Sequence, residues 1–138
     1  MTTRVAACAC GQVRLECEGE PALVAICGCT ACQKRTGSAY GVSAFFPSAQ
    51  VKSIEGTVKE FRRTSDAGRA MRSRFCPECG STVYWEGEFR PGHIGVAVGA
   101  FADAAFPKPT VAVWAQKMCE WVALPVDIRV FPEWPPSR

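Results

Sequence analysis

The chain has 138 residues, 48% of them hydrophobic and 21% charged, a composition that suits one folded domain spanning 1–138 and excludes wholesale disorder. Sixteen Lys and Arg against thirteen Asp and Glu leave a net charge of +3, too small a surplus to imply nucleic acid or a membrane surface by itself. Twelve Gly and ten Pro interrupt the chain often enough to favour short strands over long helices, and nine cysteines are the informative count.

The opening stretch Met1-Thr2-Thr3-Arg4-Val5-Ala6-Ala7-Cys8 has no apolar run of signal-peptide length, and no segment approaches the roughly 18 apolar residues of a membrane span. The expected location is therefore the reducing cytoplasm, where clustered cysteines more often hold metal than pair. Val13, Leu15 and Cys17 alternate with Arg14, Glu16 and Glu18, which predicts a half-buried strand with Cys17 in the core. A second run, Pro21 to Ile26, leads into Cys27. The polar segment Thr30 to Gly37 predicts one or two helical turns ending at the glycine. Tyr40 to Phe46 and Thr57 to Phe61 read as further strands.

Ser65-Asp66-Ala67-Gly68 is a turn signal between Lys59–Arg63 and Arg69–Phe75, so a hairpin is expected there. It gathers Lys59, Arg62, Arg63, Arg69, Arg72 and Arg74, either as a solvated surface or as a strip that binds an anion or nucleic acid. Val83 to Trp85, Ile94 to Val98 and Val111 to Trp114 complete the strands, and the proline-rich tail Phe131 to Pro136 is expected to wrap over the surface. The predicted core comprises Val13, Leu15, Val83, Trp85, Ile94, Val96, Val98 and Val113.

Three cysteine motifs carry the chemistry: Cys8-Ala9-Cys10-Gly11, Cys27-Gly28-Cys29-Thr30-Ala31-Cys32 and Cys76-Pro77-Glu78-Cys79-Gly80. The last has the form of a zinc knuckle, in which two thiolates turn onto one ion and the glycine allows the backbone to follow. Two ligands do not close a structural site, and Cys8 with Cys10 supply a second pair, giving a Cys₄ staple with Cys76 and Cys79. Cys27, Cys29 and Cys32 remain as a set of three that leaves one tetrahedral position open, the pattern of catalytic zinc. Zn²⁺ with three thiolates carries a net negative charge, so it suits holding an incoming thiol as thiolate better than polarising a carbonyl. Lys34 and Arg35 follow at once and are placed to offset that charge or to hold a substrate carboxylate. The alternative is a triplet completed by a protein ligand, with Cys119 and His93 as candidates, which would make it a second staple.

The pattern Cys-x-Cys-Gly, then Cys-x-Cys-x-x-Cys, then Phe75-Cys76-x-x-Cys79-Gly80-Ser81 resembles the glutathione-dependent formaldehyde-activating enzyme family, which includes centromere protein V-like members. Gln33-Lys34-Arg35-Thr36-Gly37-Ser38, Arg74-Phe75, Trp121, Leu124-Pro125 and the Phe131–Trp134 ending are similar to that family as well. The resemblance implies a mainly β fold: small antiparallel sheets in a zinc-stapled, tent-like architecture shared with methionine sulfoxide reductase B, with at most short helical turns. It implies structural zinc on Cys8, Cys10, Cys76 and Cys79 and catalytic zinc on Cys27, Cys29 and Cys32. It also implies a carbon–sulfur lyase or synthase that forms S-hydroxymethylglutathione from formaldehyde and glutathione. This chain departs from many members at Gly28, where they carry His, and at Pro109-Thr110-Val111, where they carry Pro-x-His-Ile. Two rival readings are a non-enzymatic zinc module that binds protein or nucleic acid through the 59–74 hairpin, and a thiol redox enzyme with Cys119 as nucleophile. The second of these lacks any local base or resolving partner.

Overall fold

Short apolar or alternating runs bounded by turns give eleven strands and one α-helix among the described residues. In chain order these are β1 (Thr3–Ala7), β2 (Arg14–Glu18), β3 (Leu23–Cys27), α1 (Thr30–Thr36), β4 (Gly41–Pro47), β5 (Val51–Glu55) and β6 (Lys59–Thr64). They continue with β7 (Ala70–Phe75), β8 (Thr82–Gly87), β9 (His93–Ala97), β10 (Val111–Val113) and β11 (Arg129–Val130). The structure is a computed structural model and describes every residue except Asp66 and Pro136–Arg138, so Asp66 of the expected hairpin turn and Pro136 of the tail lie outside the described residues. The described chain groups into two compact units, Met1–Ala22 with Ala44–Phe106, and Leu23–Ser43 with Pro107–Arg138.

In the first unit, β1, β2 and β5 form an antiparallel sheet with Ala6 opposite Leu15 and Leu15 opposite Ile54. The alternation along β2 turns Leu15 and Cys17 inward and Arg14 and Glu16 to solvent, as its period of two requires. An antiparallel run β9-β8-β7-β6 includes the expected hairpin, with Arg62 opposite Arg72 and Lys59 opposite Phe75. The strand expected over Thr57 to Phe61 starts two residues later, at Lys59, because its length is set by pairing with β7 rather than by its own pattern. The core holds Val13, Leu15, Val83, Trp85, Ile94 and Val96 as predicted. Val98 is only half-buried, because the chain leaves β9 at Ala97 and turns into a 3₁₀ helix over Val98–Phe101. Phe46, which the predicted core lacks, is fully buried and lies 6.1 Å from the ring of Phe101, which stacks on Phe106 at 4.7 Å.

The second unit departs from antiparallel pairing. Here β10 runs parallel to β3 on one side and to β11 on the other, with Val113 beside Cys27 and Val111 beside Arg129. The Val111-Ala112-Val113 run is buried throughout, as a central parallel strand should be. Trp114 leaves the strand with φ 54°, so the expected element ends one residue early. The tail folds back through hydrogen bonds from Phe131 N–H to Ala112 O and from Ala115 N–H to Phe131 O, at 2.9 and 3.1 Å. Among the described residues no helix is long and apolar enough to cross a membrane.

The turn from β5 to β6 constrains the first unit tightly. A Cβ at Gly56 would stand 2.0 Å from the carbonyl oxygen of Gln12, and its φ is +98°. Gly56→Ala should therefore lower unfolding stability by roughly 1–3 kcal/mol in chemical denaturation. An unchanged midpoint would show that the turn relaxes without disturbing residue 12.

Candidate metal centres

The loop joining β1 to β2 carries Cys8 and Cys10, and the loop joining β7 to β8 carries Cys76 and Cys79; the four sulfurs lie within 4.8 Å of one another. Cys8 Sγ is 3.6 Å from Cys10 Sγ, which is 3.7 Å from Cys76 Sγ. A tetrahedron with metal–sulfur bonds of about 2.3 Å has edges of about 3.8 Å, whereas a disulfide needs about 2.0 Å. The spacing therefore fits a zinc-sized ion shared by four thiolates. Both loops are built alike. Cys8 N–H bonds to Val13 O and Gly11 N–H to Cys8 O, while Cys76 N–H bonds to Ser81 O and Gly80 N–H to Cys76 O. Gly11 and Gly80 have φ of +84° and +79° with nothing within 4 Å of an added Cβ, so conformation rather than space selects glycine at both.

Two residues that sequence reasoning missed complete this group. Gln12 Nε2 donates to Cys76 Sγ at 3.1 Å and to Thr57 O at 2.6 Å, and its Oε1 accepts from Thr57 N–H. Ser81 Oγ lies 3.4 Å from Cys79 Sγ and accepts from Ala9 N–H, tying one loop to the other. Each is the polar residue directly after a motif glycine, and that position was the available signal. The Ser81 hydroxyl, followed by backbone amides, pulls the Cys79 thiol down to about 5. The bond from the Gln12 backbone N–H lowers the Cys10 thiol, but burial and the thiols of Cys8, Cys76 and Cys79 outweigh it and push Cys10 up to about 12. Cys10 and Cys79 are thus pushed in opposite directions, Cys10 toward the thiol and Cys79 toward the thiolate.

The second group is Cys27, at the end of β3, with Cys29 and Cys32; again the sulfurs lie within 4.8 Å of one another. Cys29 is the N-cap of α1, with ψ 155° and its Sγ accepting the Cys32 N–H at 3.3 Å, the role that Ser or Asp takes in other helices. The expected helical turns are present, and Gly37 ends them in the left-handed conformation with its N–H on Gln33 O. Hydrogen bonds to the thiols of Cys29 and Cys32, then burial, hold the Cys27 thiol far above its usual range. The bond to Cys27 lowers the Cys32 thiol, but the bond to Cys29 and burial outweigh it, so Cys32 is raised despite the Arg35 charge nearby. A divalent ion bound by the three sulfurs would favour their thiolate forms and oppose both shifts. Lys34 and Arg35 lie in the last turn of α1, and Lys34 is exposed.

Seven cysteines thus fall into two groups that can each hold a metal ion, and among the described residues neither Cys119 nor His93 belongs to either. His93 Nδ1 bonds to Pro91 O at 3.0 Å, and the Cys119 carbonyl accepts from Val122 N–H. Cys17 is fully buried in β2, and burial pushes its thiol up to about 11, as suits a core residue.

The family model described as glutathione-dependent formaldehyde-activating enzyme matches residues 3–117, and the chain belongs to that family. A solved structure of a Rhodobacter sphaeroides protein from structural genomics is similar with a TM-score of 0.56 and 21% identity, covering 70% of this chain and 85% of that one. At that identity the likeness shows the fold alone. No curated protein matches the chain.

The space beside Gly28 is taken. A Cβ there would meet Met118 Cγ at 2.2 Å and the Trp114 carbonyl oxygen at 2.9 Å. The same loop is held by Gly28 N–H on Val113 O and by Gln33 Nε2, which donates to Gly28 O at 2.8 Å and to Lys117 O at 2.9 Å. Met118 therefore fills the place of the side chain that residue 28 lacks. Gly28→Ala should weaken metal retention by the triplet against a competing chelator, and adding Met118→Ala should restore most of it. Equal loss in the single and double variants would make the Trp114 carbonyl, not Met118, the barrier.

Proposed function

We propose that this chain makes and breaks a carbon–sulfur bond between a small thiol and formaldehyde, with glutathione as the candidate thiol. The observation that carries this reading is a group of three clustered sulfurs with no fourth Cys, His, Asp or Glu beside it among the described residues, in a chain of this family. Zinc held by Cys27, Cys29 and Cys32 would lower the pKa of an incoming thiol and keep its sulfur nucleophilic. Cys8, Cys10, Cys76 and Cys79, with four ligands and no vacancy, act in this reading as the structural staple.

The rest of the chemistry falls to the chain's own residues. The N-cap bond from Cys32 N–H orients Cys29 Sγ, and Gln33 fixes the carbonyl of Gly28 between two of the ligands. Arg35 favours the ionised state of Cys32, and Lys34 with Arg35 offers cations to a substrate carboxylate. In the forward direction the substrate thiol gives up its proton, its sulfur electron pair forms the C–S bond while the carbonyl π pair moves to oxygen, and that oxygen takes up the proton. The reverse step returns that proton and expels the thiolate. The addition has no leaving group, so no further co-reactant is needed, and a reducing cytoplasm would keep the sulfurs from pairing as disulfides.

The test is the exchange rate between free formaldehyde and S-hydroxymethylglutathione, read by two-dimensional exchange NMR against the uncatalysed background. The native chain should accelerate exchange, and Cys29→Ser should return it to background with an unchanged circular dichroism spectrum, because serine still caps α1. Absence of acceleration with glutathione and with other small thiols would refute the reading, and unfolding of Cys29→Ser would make the triplet a second staple.

A further inference from the structure

The chain's net positive charge sits on one hairpin. Between Lys59 and Phe75 there are six cationic residues against two carboxylates, a surplus of four on a chain whose total is +3, so the remaining residues together are slightly acidic. Register then decides how that charge is arranged. Arg62 stands directly opposite Arg72, and Glu60 opposite Arg74; across the next ladder Arg72 faces Glu86 and Arg74 faces Tyr84. Arg74 engages both nearby acids, Glu60 at 3.3 Å and Glu86 at 2.8 Å, with its guanidinium over the Tyr84 ring. Glu60 is also paired with Arg62. Among the described residues no carboxylate forms an ion pair with Arg72, which is left beside a second arginine. Like charges directly across a ladder are destabilising, and the fold keeps them.

These arginines line a cavity of about 730 Å³ together with Arg63, Glu86, Glu88 and His93. Its two carboxylates are already engaged, Glu86 with Arg74 and Glu88 with the Ala70 N–H at 2.6 Å. What remains toward the cavity is Arg72, beside Arg62, whose single carboxylate partner Glu60 is shared with Arg74; forked guanidinium donors of this kind match the oxygens of a phosphoryl group. The volume lies within the roughly 300–1,000 Å³ of small-molecule sites, and a recess at a hairpin suits a compact ligand better than a polynucleotide, which needs an extended track. We propose that this cavity binds the phosphate group of a small molecule, clamped between Arg62 and Arg72. The site uses none of the triplet's residues and does not depend on the thiol reaction.

The experiment is calorimetric titration of the full chain at low ionic strength with inorganic phosphate and, separately, with AMP. The expected result is saturable binding of one ligand per chain, weakened about tenfold or more by Arg72→Gln, in line with the loss of a charged hydrogen-bond donor, and unchanged by Lys52→Gln, an exposed charge elsewhere. Equal affinities for the two probes identify phosphate itself as what is recognised, and tighter AMP binding identifies a nucleotide; both support the site. Should Arg72→Gln fail to fold, Arg62→Gln gives the same comparison at a largely exposed position. No saturation with either probe, or equal weakening in both charge variants, would overturn the proposal. Binding only to an oligonucleotide, with a steep salt dependence, would overturn it in favour of a nucleic-acid surface.

Discussion

Clustered thiolates repel. Two of them held 3.7 Å apart, the Cys10–Cys76 sulfur spacing, are unfavourable without a cation between them, and four more so. The chain nonetheless brings two such clusters together, one from loops far apart in sequence and one within six residues. The cost is met locally by donors: Val13 N–H and the side chain of Gln12 at the first group, and the Cys32 N–H at the second. These donors lower the cost but do not cancel it: neighbouring thiols and burial still hold Cys10 and Cys27 above the ordinary thiol range. A bound divalent ion would cancel it, and in a chain of this size its binding free energy would form a large part of the folding free energy.

The two groups share a ligand type and differ in closure. The four-sulfur group is built from paired loops in which the first cysteine's N–H bonds to the carbonyl five residues on and its own carbonyl accepts from a glycine with positive φ, and it joins the β1–β2 loop to the β7–β8 loop. The three-sulfur group is built differently, from the end of a parallel strand and the cap of a seven-residue helix, and is packed by Met118 and Gln33. Four ligands fix an ion, whereas three leave room for a substrate sulfur. That difference is the physical basis for assigning a structural role to one and chemistry to the other.

Much of this was legible in the sequence, because cysteine spacing is a constraint on geometry. The two-by-two grouping, the short helix after Cys29, the hairpin at 59–75 and the inward face of β2 followed from spacing and periodicity. Three kinds of feature did not. Strands β1 and β5 have weak patterns of their own and exist through pairing with β2. The parallel alignment of β10 with β3 and β11 depends on contacts remote in sequence. Gln12 and Met118 act through distance rather than motif, and Ser81, though it closes the Cys76–Ser81 motif, gave no sign that its hydroxyl would reach Ala9 N–H across the two loops. Val98 was misplaced because a run of β-branched residues does not reveal where a strand gives way to a 3₁₀ turn.

Native mass spectrometry of the full chain, before and after a mild chelator and followed by circular dichroism, tests the division into a closed and an open centre most directly. Two zinc ions per chain are expected, one removed by the chelator while the spectrum of the fold is kept. Two ions lost together with unfolding, or a single ion in the untreated chain, would contradict it.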